Sequence, residues 1–215
     1  MPAIYPSLIN ADLLNLEATI KALDPYCAGY HIDIMDNHWV PNLTWGHQFT
    51  NAIAQATTKK IWVHLMVDNP ESLIRRLILP ADSLVSIHIE SQIGKTKTLA
   101  LIKENNWQAS IAISPKTAIK EIIPFLPLIN QALVMSVNPG YSGQEFMPSA
   151  LDRIKELKRL IQDLSSACVV GVDGGIASTN IHHLIAAGAD DLAIASAIFD
   201  HNNPVDNLIA LKKLL

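Results

Sequence analysis

Cysteine is scarce in this chain, with only Cys27 and Cys168 among 215 residues. Two cysteines are too few for the disulfide framework of a small secreted domain. The N-terminal stretch MPAIYPSLINADLL has no basic segment and carries Asp12 early, unlike a secretory signal. The two thiols are therefore expected to be unpaired, in a reducing cytoplasm. Charge is also thin, with Asp, Glu, Lys and Arg making up 17% of residues. Lys and Arg (16) are outnumbered by Asp and Glu (20), and no basic run occurs. That balance argues against nucleic acid as a partner, since phosphate contacts need clustered cations. Every apolar run is broken by polar, Gly or Pro residues before it could cross a bilayer, so no membrane association is expected. Also missing is a G-x-G-x-x-G turn after an early strand, the mark of a doubly wound dinucleotide fold.

What the chain does have is apolar surface, 49% of residues, which rules out disorder for its bulk. High apolar and low charged content suit strands buried on both faces, as in a parallel sheet wrapped by helices. Short β-type runs occur at Ala3–Ile9, Tyr30–Asp36, Ile61–Val67, Leu84–Glu90, Ala109–Ser114, Ala132–Val137, Cys168–Asp173 and Asp191–Ser196. Between them the apolar spacing is helical, as at Leu13, Leu16, Ile20 and Leu23 after an Asn10/Asp12 cap. A second such run covers Leu151, Ile154, Leu157, Leu160 and Ile161, and a third runs from Val205 to Leu214 after Pro204. No linker interrupts the alternation, so residues 1–215 are expected to form one α/β domain, a (β/α)8 TIM barrel with short loops. An open doubly wound sheet is the competing architecture, disfavoured by the missing glycine turn.

Within a barrel strand, one parity faces the helices and the other the axis. Tyr30, Ile32 and Ile34 alternate with His31, Asp33 and Met35; Val63, Leu65 and Val67 alternate with Trp62, His64 and Met66. Val170 and Val172 alternate with Gly171 and Asp173. The aliphatic sets belong against helices, which turns His31, Asp33, His64 and Asp173 inward near the strand ends, where barrel active sites are built. Two imidazoles and two carboxylates suit one divalent ion, Zn²⁺, Fe²⁺, Mn²⁺ or Co²⁺. His88 shares the inward parity with Ser86 and Glu90 and is read as a barrel-interior residue rather than a fifth ligand.

The stretch His31-Ile-Asp33-Ile-Met35-Asp36, followed by Val40-Pro41-Asn42-Leu-Thr44-Trp-Gly46, resembles the signature of the ribulose-phosphate 3-epimerase family. Pro6-Ser7, His64-Leu-Met66-Val67, Val137-Asn138-Pro139-Gly140-Tyr-Ser-Gly143-Gln144 and Val172-Asp173-Gly174-Gly175-Ile176 fit the same family in the same order. The resemblance implies inversion at C3 of D-ribulose 5-phosphate to give D-xylulose 5-phosphate, in the pentose phosphate pathway. It implies that His31, Asp33, His64 and Asp173 hold one metal ion, with Asp33 and Asp173 also serving as acid and base. It further implies that Ser7 and His64 contact the substrate and that Met35, Met66 and Met135 line its reacting part. No organic cofactor is expected, and a homo-oligomer is.

Phosphate is expected at Gly140, Tyr141, Ser142 and Gly143, at Asp173, Gly174 and Gly175, and at Ala195-Ser196, loops that follow neighbouring strands. None of these segments contains Lys or Arg, so backbone N–H groups would do the binding. Ala195 and Ser142 stand where the family usually has glycine, and Asn37 replaces another; asparagine tolerates positive φ. Three rival readings share this barrel: a 3-epimerase of another ketose phosphate such as allulose 6-phosphate, a hexulose-phosphate synthase-like enzyme, and a sugar-phosphate-binding protein without catalysis. The retained carboxylates argue against the last two.

Overall fold

A computed structural model describes residues 2–92, 94–200 and 203–215. Eight strands alternate with helices: β1 (Ala3–Pro6), α1 (Leu16–Leu23), β2 (Gly29–Met35), α2 (His47–Ala56), β3 (Lys60–Met66), α3 (Pro70–Ile74), β4 (Leu84–His88), α4 (Lys95–Glu104), β5 (Gln108–Ile113), β6 (Gln131–Met135), α5 (Ser149–Asp163), β7 (Val169–Asp173), α6 (Ile181–Ala187), β8 (Asp191–Ile194), α7 (Ser196–Phe199) and α8 (Pro204–Lys212). All the pairings are parallel, in the order β1-β8-β7-β6-β5-β4-β3-β2. A parallel bridge between Ser7 and His31 brings β1 beside β2, so the sheet curls into a nearly closed (β/α)8 barrel.

The eight strands lie where the sequence places them, with ends trimmed by neighbouring turns. β1 stops at Pro6 because Leu8–Asn10 winds into a 3-10 turn, and β8 stops at Ile194 before α7 begins at Ser196. The helix expected from Leu13 starts later. Leu13 and Leu14 are 50% and 95% exposed, so the apolar stripe that docks on the sheet opens only at Leu16. The preceding turn is 3-10, with Asp12 accepting a hydrogen bond from Leu14 N at 3.0 Å. Between β5 and β6 the connection is a 3-10 helix, Ile119–Leu128, containing Pro124 and Pro127, which lack the N–H groups an α-helix needs.

Strand parity sorts the core into two layers. Tyr30, Ile32, Ile34, Val63, Leu65, Val67, Val170 and Val172 join the layer packed against the helices. The axis is filled by another set that includes Tyr5, Trp62, Leu84, Leu133 and Met135. Trp62 donates from Nε1 to Ser86 Oγ at 2.8 Å and presents its ring to Tyr5 and to His31 edge-on, with centroids 5.3 and 4.7 Å away. It forms the apolar platform under the mouth. Cys27 and Cys168 are buried and unpaired, and burial pushes the Cys168 thiol up to about 12, so it stays protonated at neutral pH.

Candidate active site

The ladder register assembles the cluster. Asp33 on β2 is paired with His64 on β3, His31 lies two residues back on the same face, and Asp173 closes β7. Each of His31, Asp33, His64 and Asp173 offers one ligand atom, and these atoms all lie within 4.8 Å of one another. His64 Nδ1 sits 3.1 Å from Asp33 Oδ1 and 3.4 Å from Asp173 Oδ2, and His31 Nδ1 lies 3.2 Å from Asp33 Oδ2. His31 is fully buried, yet among the described residues neither ring nitrogen makes a well-directed hydrogen bond, the Nδ1 approach to Asp33 being its one polar contact. A buried imidazole left unsatisfied is costly unless something else occupies its lone pair. Converging N and O donors, one of them orphaned, are what a divalent cation requires, so the four residues fit such an ion.

Electrostatics tell the same story from the proton's side. Burial by itself would raise Asp33, but His31 and His64 hold its carboxyl well below the ordinary value. Burial likewise opposes charge on His64, but its hydrogen bonds to Asp173 and Asp33 outweigh that and lift the imidazole to about 9. Without a cation the cluster therefore collects a proton between its carboxylates. His88 goes the opposite way: burial drives it down to about 4, against the pull of Glu90. Glu90 itself falls to about 2, because His88 and the Thr117 hydroxyl outweigh its desolvation.

Above the cluster opens a cavity lined by Ser7, Asp33, Met35, Met66, Met135, Asp173 and, on its far side, by Gly140, Tyr141, Ser142, Gly143, Gly174, Gly175, Ala195 and Ser196. All the residues singled out for substrate contact line it except His64, which is fully buried beneath. Ser7 donates from Oγ to Asp33 Oδ2 at 2.9 Å, so it also orients that carboxylate. Among the described residues, no Lys or Arg lines the cavity. Its far wall is backbone, held in shape by glycines that no other residue could replace cheaply. Gly174 has φ +112, and a Cβ there would lie 2.4 Å from Val137 Cγ2; Gly175 has φ +61, with Phe146 N at 2.6 Å from such an atom. Ala195, by contrast, has a negative φ, −105, so it does not need the left-handed freedom of a glycine. Asn37 takes φ 58.

Several residues of the signature to which the sequence assigns no role of their own shape the site. Thr44 Oγ1 donates to Asp33 O at 2.7 Å and accepts from Met35 N at 2.9 Å, fixing the end of β2. Asn42 donates to Gly140 O at 2.7 Å, and the Tyr141 hydroxyl donates to Pro41 O, joining the loop after β2 to the glycine loop after β6. Asp36 accepts from the backbone of His38, Trp39 and Asp68, folding Trp39 over His88 with ring centroids 4.2 Å apart.

A family model described as the ribulose-phosphate 3 epimerase family matches residues 3–199. The ribulose-phosphate 3-epimerase of Aquifex aeolicus (strain VF5) is 35% identical over 216 residues, covering 100% of this chain and 97% of that protein. The ribulose-phosphate 3-epimerase of Escherichia coli (strain K12) is 38% identical over 199 residues, covering 92% and 88%. Among solved structures, KGPDC from Streptococcus mutans superposes with a TM-score of 0.71 at 12% identity, covering 100% of this chain and 97% of the other. A 3-hexulose-6-phosphate synthase gives a TM-score of 0.68 at 12% identity, with the same coverage. At that identity the two structures share the barrel alone with this chain.

Proposed function

The chain belongs to the ribulose-phosphate 3-epimerase family, and from that premise we propose that it interconverts D-ribulose 5-phosphate and D-xylulose 5-phosphate by proton transfer at C3. The observation that carries this reading is the pair Asp33 and Asp173, two carboxylates facing one cavity from strands three apart in the ring. Epimerisation beside a ketone removes a proton from one face of C3 and returns one to the other, which needs two proton-carrying groups around a planar enediolate. Asp33 and Asp173 meet that need, one taking the proton while the other delivers it, with the roles exchanged in the reverse direction. Ser7 holds Asp33 Oδ2 in place, and the buried Met35, Met66 and Met135 exclude water from the reacting carbons while adapting to their change of shape. A divalent cation held by His31, Asp33, His64 and Asp173 would supply Lewis-acid stabilisation for the negative charge that develops on the substrate. The backbone N–H groups of the glycine loops and of Ser196 would hold the phosphate at the far wall, without a cationic side chain.

On the same reading, residues 1–215 act as a single catalytic domain, in the cytoplasm, as a homo-oligomer. The deciding experiment is a coupled assay run in D2O on metal-loaded protein. The product is expected to carry solvent deuterium at C3, and retention of the original hydrogen would exclude the two-base scheme. Chelation is expected to abolish turnover and divalent metal to restore it. Equal turnover of allulose 6-phosphate would displace the assignment of the five-carbon substrate.

A further inference from the structure

His64 is held by a chain of hydrogen bonds that begins outside the four-residue cluster. Its Nδ1 faces Asp33 and Asp173, while its Nε2 lies 2.8 Å from Nε2 of His88. The two ring centroids are 4.9 Å apart and the planes 26° apart, and the 2.8 Å between the facing nitrogens is the length of an N–H···N hydrogen bond. One facing nitrogen must then carry the proton and the other the lone pair. The remaining nitrogen of His88, Nδ1, is 3.1 Å from Glu90 Oε2. The other oxygen of Glu90 accepts from Ser114 N at 2.9 Å and from the Thr117 hydroxyl. Arg153 secures that loop by donating to the carbonyls of Ser114 and Thr117 at 3.0 and 2.8 Å. Ser114 Oγ, at 3.5 Å from His88 Nδ1, is too far to compete with the carboxylate.

Nothing in this chain is free to choose its role. A carboxylate only accepts, so Nδ1 of the neutral His88 ring donates and its Nε2 accepts. His64 Nε2 therefore donates, which leaves His64 Nδ1, once it gives up the proton it shares with Asp33 and Asp173, as the lone pair open to a cation. A cation needs that lone pair, and a proton in its place would repel one. We infer that Glu90, acting through His88, is a positioning residue that sets the tautomer of His64 and so its capacity to ligate a divalent cation. The inference rests on the metal-binding reading given above.

The test uses zinc as the probe. In zinc-loaded protein with isotope-labelled histidines, NMR is expected to show His64 protonated on Nε2 and His88 on Nδ1. Glu90→Gln keeps the shape but reverses the chain. Ser114 N–H can only donate, so it claims the amide oxygen, the amide NH2 faces His88 Nδ1, and the proton ends on His64 Nδ1. Zinc affinity, read by competition with a chelator, is expected to fall about 10–100-fold, as it does for outer-shell partners of metal ligands. His88→Gln offers its own carbonyl to His64 and is expected to keep most of the affinity, and adding Glu90→Gln to it should cost nothing more. The opposite tautomers in the parent protein would overturn the inference. So would unchanged affinity in Glu90→Gln, or an equal loss in the His88→Gln background, which would make Glu90 only an anchor for its loop. A parent protein that takes up no zinc would sink the metal reading itself, a failure visible before any variant is made.

Discussion

The two ends of this barrel both bury polar side chains, and they treat them in opposite ways. At the N-terminal end, Ser110 Oγ donates to Gln131 Oε1 at 3.0 Å, and Gln131 Nε2 donates to Asp191 Oδ2 at 2.8 Å. Gly171 leaves the space the Gln131 amide fills, since a Cβ there would lie 2.7 Å from its Cδ. Every group in this floor network has a partner. At the mouth, the ring nitrogens of His31 make no hydrogen bond among the described residues, and His64 and two carboxylates point at a common centre. A buried network that satisfies itself rigidifies a core, whereas one left short of partners is built to receive something. The floor therefore answers for stability and the mouth for chemistry.

The largest test of that division is at the mouth. Asp33→Asn and Asp173→Asn each remove a proton-carrying group, and turnover in the coupled assay is expected to fall by at least about 10²–10⁴-fold. Far-UV circular dichroism should stay native, because asparagine keeps the shape of the side chain and the strands are joined by their backbone ladders. Either variant retaining full activity would dissolve the assignment. Next comes the floor. Gln131→Leu strips Ser110 and Asp191 of their shared partner and should cost about 1–3 kcal/mol of unfolding free energy, the penalty for leaving buried polar groups unpaired. Turnover per folded molecule should be unchanged. A floor variant that slowed catalysis without losing stability would erase the contrast.

The mouth half of this contrast is legible in the sequence, because a strand alternates faces with a period of two. That alternation sends His31, Asp33, His64 and Asp173 to the axis in the same sense as Trp62 and Met66, and it does not depend on knowing the loops. The sequence pattern starts α1 too early, at Leu13, because an apolar residue reads the same whether or not anything covers it, and Leu14 is 95% exposed. The inward parity of His88 was visible too, but not what it touches. Its partner Glu90 is fixed by Ser114 and Thr117, residues 24 and 27 positions away across a strand connection. Similarly, Asn42 finds Gly140 across 98 residues. Period and composition describe a segment; such contacts depend on how distant segments close on each other.

The smallest expected effect concerns Asp191, the one ionisable member of the floor network. Its carboxyl is raised above 3.8 chiefly by burial, with Asp190 adding to the rise while Gln131 and Lys60 oppose it. A folded value above the unfolded one means the native state binds the proton more tightly. The stabilising contribution is thus complete in acid, below the unfolded carboxylate value, and is lost as pH rises through the folded one. At neutral pH the site holds a charge it disfavours. Asp191→Asn removes the charge and keeps an oxygen to accept from Gln131, so its melting temperature should modestly exceed that of the parent at neutral pH. The advantage should shrink as the medium is acidified, since the parent side chain then becomes neutral as well. If the parent were the more stable protein at neutral pH, the Asp191 charge would be part of what the floor is built around, and the self-satisfied network would have to be redrawn to include Lys60.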